Sequence, residues 1–219
     1  MVSRGGIACN RASAGGEGSQ AIDGLRERKS ARARAATLDA GFRLFAERGY
    51  DQVTVADICA AADIGRRTFF HYFPTKEDLL DTPARQMTAC LTAALDQVPP
   101  SASDGQALRA ALAELARHAL DHRAQLELYR RIISTSATLR LPVVWNLPGH
   151  EARTAQQLQA RHGRTGPPSL DTRLLVARAL AAFRVWLDLT LESPPAAGDP
   201  GEGAQQLFDR VFDADPLLR

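Results

Sequence analysis

The sequence predicts an all-α chain, with a small N-terminal head of three helices that includes a helix-turn-helix, followed by a larger C-terminal helical bundle. Two observations carry this. Between Thr54 and Lys76, two short helix signals flank a tight turn, and a further helix begins directly after a proline. From Gln106 to Asp213, apolar residues recur at the three-and-four spacing of a helix face, in segments separated by loops rich in Pro, Gly and Ser. The 219 residues are enough for two subdomains with a real core.

Residues 1–24 are rich in Gly, Ser and Ala with scattered Arg and no periodicity, and read as a disordered tail. The head, residues 25–75, opens with a helix from about Leu25 or Ser30 to Arg48. Leu38, Phe42 and Phe45 form its inner stripe and Gly49 its C-cap. Gly41 within it carries a propensity cost of about 1 kcal/mol relative to alanine. Thr54, with Asp57 three residues on, forms a capping-box pattern for the second helix, and Val55, Ile58 and Ala62 lie on one face. Asp63 stands in the turn and Gly65 at the start of the third helix. Phe69 and Phe73 share a face at i, i+4, so Arg67, Thr68, His71 and Tyr72 point elsewhere. Pro74 stops this helix, and Thr75 with Asp78 caps the next.

The body, residues 76–219, begins with a helix running from Lys76 toward Leu95. Pro83 falls inside it and reads equally as a hinge, a fixed bend or the junction of two helices. Further helices are expected over Gln106 to about Leu120, about Arg123 to Leu139, Pro142 to about Arg161 with a break at Pro148-Gly149, Leu170 to Glu192, and Ala204 to Asp213. The segment from Leu170 to Glu192 is apolar over more of its circumference than one core face needs. That excess suits burial on two sides, against the body and against a second subunit, with the core of a monomeric bundle as the alternative. The expected dimer contacts are Leu175, Ala179, Ala182, Trp186 and Leu189, with Leu207 and Val211 of the last helix.

The face of the third helix opposite Phe69 and Phe73 carries chemistry suited to a DNA groove. Arginine reads guanine edges or phosphates, and a hydroxyl or phenol reaches bases or phosphates. Arg67, Thr68, His71 and Tyr72 are the expected base-reading or base-flanking residues. Thr54, Arg66 and Lys76 are the expected phosphate anchors, Lys76 because it sits at a helix start where the dipole already favours an anion. A plain amphipathic helical hairpin without a ligand accounts for the same spacing.

The stretch from about Arg32 to Leu80 resembles the N-terminal domain of TetR-family transcriptional regulators. The resemblance rests on LFAERGY, the T-V-x-D-I start of the second helix, T-F-F-x-Y-F in the third and the K-E-D-L entry to the fourth. It implies a homodimeric all-helical regulator that binds double-stranded operator DNA and is released by a small molecule, with the last two long helices forming a four-helix interface. Three positions depart from the family pattern. Asp63 replaces a frequent turn glycine, Gly65 a frequent Ser or Thr cap, and Phe70 a common tyrosine whose hydroxyl contact with phosphate is absent here.

Net charge is only +2, but basic residues cluster ahead of and within the head: Arg26, Arg28, Lys29, Arg32, Arg34, Arg43 and Arg48 against Glu27, Asp39 and Glu47. Cys9, Cys59 and Cys90 are widely spaced and form neither a disulfide framework nor a zinc pattern. No apolar run approaches a membrane span, and the expected location is cytoplasmic. His118 and His122 stand at i, i+4 without the glutamate of a metalloprotease helix, and no nucleophile turn, P-loop or dinucleotide fingerprint occurs, so neither an enzyme nor a cofactor is expected. Met87, Leu91, Leu112, Leu126, Tyr129, Trp145 and Phe183 are the expected lining of a partly hydrophobic inducer site, each with core packing as its ordinary alternative. Arg123, Arg130 and Arg131 are possible partners of an anionic ligand head. A DNA binder controlled by a protein partner, or serving an architectural role, is the competing function, with a helical enzyme ranked below it.

Overall fold

Ten α-helices account for most of the described chain, in the order α1 (Gly16–Arg48), α2 (Val55–Ala61), α3 (Arg66–Tyr72), α4 (Lys76–Leu80), α5 (Thr82–Gln97), α6 (Asp104–Asp121), α7 (Arg123–Thr135), α8 (Leu147–Ala160), α9 (Leu170–Glu192) and α10 (Pro200–Asp213). Short 3-10 turns stand at Tyr50–Gln52 and Pro216–Leu218, and no strand occurs among the described residues. The structure is a computed structural model and describes residues 16–136, 138–139, 147–192 and 200–218.

The helix boundaries follow local chemistry. Gly49 ends α1 with φ of 82°, a left-handed value a side chain resists, and its N–H donates to the Phe45 carbonyl. Thr54 caps α2 in a complete capping box: its hydroxyl accepts from the Asp57 N–H, and the Asp57 carboxylate accepts from the Thr54 N–H at 2.8 Å. The turn into α3 passes through Asp63 at φ of 52°, which a short polar side chain tolerates. Gly65 caps α3 without a side-chain bond, and Thr75 caps α4 by accepting from the Asp78 N–H at 3.0 Å.

Several boundaries differ from expectation, among them the end of α7 at Thr135 in place of Leu139 and the start of α10 at Pro200 in place of Ala204. Helix α1 already includes 16–24 of the expected tail, a stretch without proline, while 1–15 lie outside the described residues. The helix expected from Lys76 to Leu95 is two helices, with Asp81 between them and Pro83 in the first turn of α5, where its missing N–H goes unneeded. Pro148 and Gly149 likewise fall in the first turn of α8 and do not break it. The capping box of Ser103 and Gln106 starts α6 two residues earlier than the apolar pattern indicates.

Two apolar clusters organise the packing. The head cluster gathers Leu38, Phe42, Phe45, Tyr50, Ile58, Phe69, Phe73, Leu79 and Leu80, and each such buried Phe or Leu contributes roughly 1.5–3 kcal/mol. It also takes in Tyr129, Ile132 and Ile133 from α7, and Leu139 beyond it. The change of subdomain expected at residue 76 is therefore not a gap in packing: α7 closes the underside of the head. The body cluster brings together α5, α6, α9 and α10 around Leu95, Leu108, Leu112, Phe183, Trp186, Phe208 and Phe212. Two glycines are explained by proximity. A Cβ on Gly41 would press on the buried Leu79 methyl at 2.8 Å, and one on Gly105 would collide with the Leu217 carbonyl oxygen that seats the C-terminal turn on α6.

Candidate functional site

Helix α3 is held by two aromatic anchors. Phe69 and Phe73 are fully buried, their ring centroids 5.8 Å apart. Two contacts from α1 fix its end: the Ser30 hydroxyl donates to the Tyr72 phenol oxygen at 3.3 Å, and the Arg34 guanidinium lies 4.9 Å from the centre of the Phe73 ring. With the inner face so constrained, Arg66, Arg67 and His71 are exposed, and Thr68 and Tyr72 are half-buried beside them. Neither Arg66 nor Arg67 has an ion-pair partner among the described residues. The structure thus brings these five expected DNA-facing residues onto one short helix.

Thr54 and Lys76 stand differently. The Thr54 hydroxyl is exposed but engaged with Asp57 as a cap. The Lys76 ammonium is half-buried, donates to the carbonyls of Tyr50 and Val53 at 3.0 Å each, and sits 4.0 Å from the centre of the Tyr50 ring. Two of its three N–H groups hold the 3-10 turn that leads into α2, so its first duty is to position the helix-turn-helix. No local sequence signal marks this, because the carbonyls lie more than twenty residues away.

Tyr50 is locked from its other end. Its hydroxyl donates to Glu77 Oε1 at 2.6 Å. That hydrogen bond is the main reason the Glu77 carboxyl lies below its ordinary value of 4.5; burial opposes it, and Lys76 adds a smaller favourable contribution. A carboxyl whose folded value is depressed stabilises fully above the unfolded value, and loses that contribution as pH falls through the lower folded one. Acidification from about pH 5.5 to about pH 3 should therefore lower the melting temperature of the wild type more than that of Glu77→Gln. Thermal melts followed by circular dichroism check this, and parallel profiles for the two proteins would contradict it.

Phe70 is the exposed residue of α3 that the sequence pattern underplays. It is 48% exposed, with its ring edge-on to Phe69. One residue beyond the buried Phe69 means 100° around the helix, which was the available signal.

In the body, Met87, Leu91 and Phe183 do line a common crevice, with Thr88, Leu115, His150, Leu180 and Arg184; its cavity volume is ≈ 30 Å³. The Thr88 hydroxyl donates to the Ala84 carbonyl at 2.9 Å, so it accepts from His150 Nδ1–H at 3.1 Å and leaves Nε2 as an acceptor. Burial, and then Arg153, hold His150 below the usual histidine range. Leu126 and Tyr129 line a second crevice instead, between α5, α7 and α9. Leu112 is fully enclosed in the core and lines neither, and Trp145 lies outside the described residues. Arg123 is paired with Glu127 at 2.6 Å, and Arg130 with Asp188 at 3.2 Å.

The expected dimer surface needs correction. Ala179 and Trp186 are fully buried inside the protomer, and the Trp186 indole N–H donates to the Ala204 carbonyl at 2.9 Å. Leu175, Ala182, Leu207 and Val211 are half-buried against the body core. The outward stripe of α9 is instead Leu170, Leu174, Ala181, Val185 and Leu189. The His118 and His122 rings stand 4.3 Å apart, and no group of three metal-ligating residues occurs among the described residues. Among those residues, no helix is long and apolar enough to cross a membrane.

Known proteins share both parts of this arrangement. Residues 38–82 match the family model for bacterial regulatory proteins of the tetR family. The HTH-type transcriptional regulator TcmR of Streptomyces glaucescens is 29% identical over 172 residues, 74% of each chain. The HTH-type transcriptional repressor KstR2 of Rhodococcus jostii is 36% identical over 88 residues, covering 40% of this chain and 43% of its own. A solved transcriptional regulator of the TerR/AcrR family from Aquifex aeolicus shares the fold, with a TM-score of 0.51 at 16% identity over 84% of this chain and 99% of its own. Residues 38–82 thus carry a tetR-family helix-turn-helix domain, and over most of its length the chain is similar to an HTH-type transcriptional regulator.

Proposed function

We propose that the chain acts as a homodimeric repressor that holds a palindromic operator and releases it when a small molecule enters the body. The observation that carries the DNA half is a pair of exposed arginines, Arg66 and Arg67, with no ion-pair partner among the described residues, on a helix fixed from behind by Phe69 and Phe73. Helix α3 enters the major groove. Arg67, Thr68, His71 and Tyr72 read or flank bases, while Arg66, the exposed Thr54 cap and the remaining N–H of Lys76 meet phosphates. Phe70 supplies an apolar surface suited to a thymine methyl. The outward stripe of α9 pairs two copies so that both heads meet successive major-groove faces.

For the body half, support comes from the two crevices along α5, which begins at the Asp81–Pro83 junction directly beyond α4. An inducer that prefers a different α5 position shifts the head spacing, whereas equal affinity for both states would shift nothing. Control by a protein partner is the competing reading, and it is favoured by the dense packing of Leu108, Leu112 and Leu115.

The deciding experiment is retention of sheared genomic DNA from the source organism on the immobilised protein, with competitor DNA and moderate salt, followed by sequencing. One enriched palindrome is expected. Retention without a shared motif that vanishes with salt would leave only phosphate attraction and overturn the proposal.

A further inference from the structure

The crevice between α5, α7 and α9 contains an unfinished hydrogen bond. Tyr129 lines it and is 7% exposed, and its hydroxyl has no partner among the described residues. A buried phenol normally finds an acceptor, and leaving one unpaired carries a desolvation penalty. Burial first, and then the negative charge of Asp81, push the Tyr129 phenol above its ordinary value, so the group is neutral and a donor. Around it the walls are apolar: Ala84 from α5, Leu126 from α7, and Leu187 and Leu191 from α9. The charges at the rim are already matched, since Arg130 faces both Asp188 at 3.2 Å and Glu192 at 3.8 Å. A second negative charge would have to compete with those two carboxylates, which disfavours an anionic ligand there.

We infer that the Tyr129 hydroxyl is the hydrogen-bond donor of a ligand site in this crevice, and that its ligand is an uncharged, largely apolar molecule presenting an acceptor oxygen, such as a ketone, quinone or ester. This rests on the reading of the chain as a ligand-controlled regulator and names the chemistry of its effector. The position suits control. Tyr129 belongs to the head cluster, and Ala84 packs against that cluster one residue after Pro83. The crevice has a cavity volume of only ≈ 30 Å³, so an occupant has to part α5 from α9. The first turn of α5 is the wall that yields, and it connects directly to α4 and the head. The crevice lined by Thr88 and His150 follows along the same faces of α5 and α9, one to two turns farther from the head.

The probe is prodan, a neutral fluorescent naphthyl ketone whose emission moves to the red when its carbonyl accepts a hydrogen bond. It is titrated into the full-length protein, Tyr129→Phe and Thr88→Val, with thermal melts of each protein without probe. Tyr129→Phe is expected to bind prodan roughly 5- to 10-fold more weakly, the worth of one ordinary hydrogen bond, with bluer bound emission. Its own melting temperature should not fall, because phenylalanine keeps the shape and removes an unpaired group. Thr88→Val should match the wild type. Unchanged prodan affinity and emission in Tyr129→Phe would overturn the assignment, as would a loss confined to Thr88→Val. A lowered melting temperature in Tyr129→Phe with unaltered prodan binding would mark the hydroxyl as partnered by a structural water, and would also overturn it. Binding of the probe-free wild type to the retained genomic fragment is measured in parallel. If that alone fails, the regulatory reading falls, while the prodan series still decides the role of Tyr129.

Discussion

Replacing Arg66 and Arg67 together by alanine is expected to weaken binding to the retained operator by about 100-fold or more, while the melting temperature stays within a degree or two of wild type. A good bidentate base contact is worth about 1–3 kcal/mol, and a phosphate contact adds a salt-dependent share. Stability should survive because both side chains are exposed and without ion-pair partners among the described residues, and alanine favours a helix over arginine slightly. The single variants separate the two roles. Arg66→Ala should lower affinity for all sequences alike and reduce the slope of log affinity against log salt by about 0.9. Arg67→Ala should instead flatten discrimination between the operator and a single-base variant. Fluorescence anisotropy with labelled duplexes at several salt concentrations measures both. If the double variant binds as tightly as wild type, α3 is not the reading helix.

A single charge in the outward stripe of α9 is expected to have an equally large effect by another route. Val185 is 46% exposed and Leu189 43%, on a face where Leu174 and Ala181 continue the stripe. An isolated exposed leucine is ordinary, but a row of them along several helical turns is, in the proposed dimer, the surface for a second subunit. Val185→Glu should convert the dimer to a monomer at micromolar concentration in sedimentation velocity, with an intact helical spectrum. Operator affinity should then drop about 100-fold or more, because two half-sites are no longer engaged through one linked body. Trp186→Ala, one residue on, should behave in the opposite manner. It removes a fully buried indole that donates to Ala204, which costs about 3–5 kcal/mol and disrupts the protomer itself. A wild-type protein that sediments as a monomer would remove the basis of the first comparison.

The head was largely legible from the chain because its determinants are local. The capping box of Thr54 and Asp57, the Asp63 turn, the i, i+4 pair Phe69 and Phe73, and the glycine stop at residue 49 each act over a few residues, and each appears where the pattern places it. Pro83 illustrates the limit of such reasoning. A proline in the first turn of a new helix and a proline kinking an old one look identical in sequence, and here the chain makes two helices with Asp81 between them. Periodicity also failed on α9. A helix apolar around most of its circumference shows no preferred face, so Ala179 and Trp186 look as available to a partner as Val185.

Sequence thus established the helical class and the helix-turn-helix, since caps, turns and short-range periodicity are properties of neighbouring residues. The three-dimensional packing settled which way α9 turns, gave Lys76 to the carbonyls of Tyr50 and Val53, drew α7 beneath the head and left the Tyr129 hydroxyl buried without a partner among the described residues. Each of these depends on groups far apart in the chain meeting in a low-dielectric interior. There, burial and hydrogen-bond pairing are decided by the whole fold and not by local residue spacing.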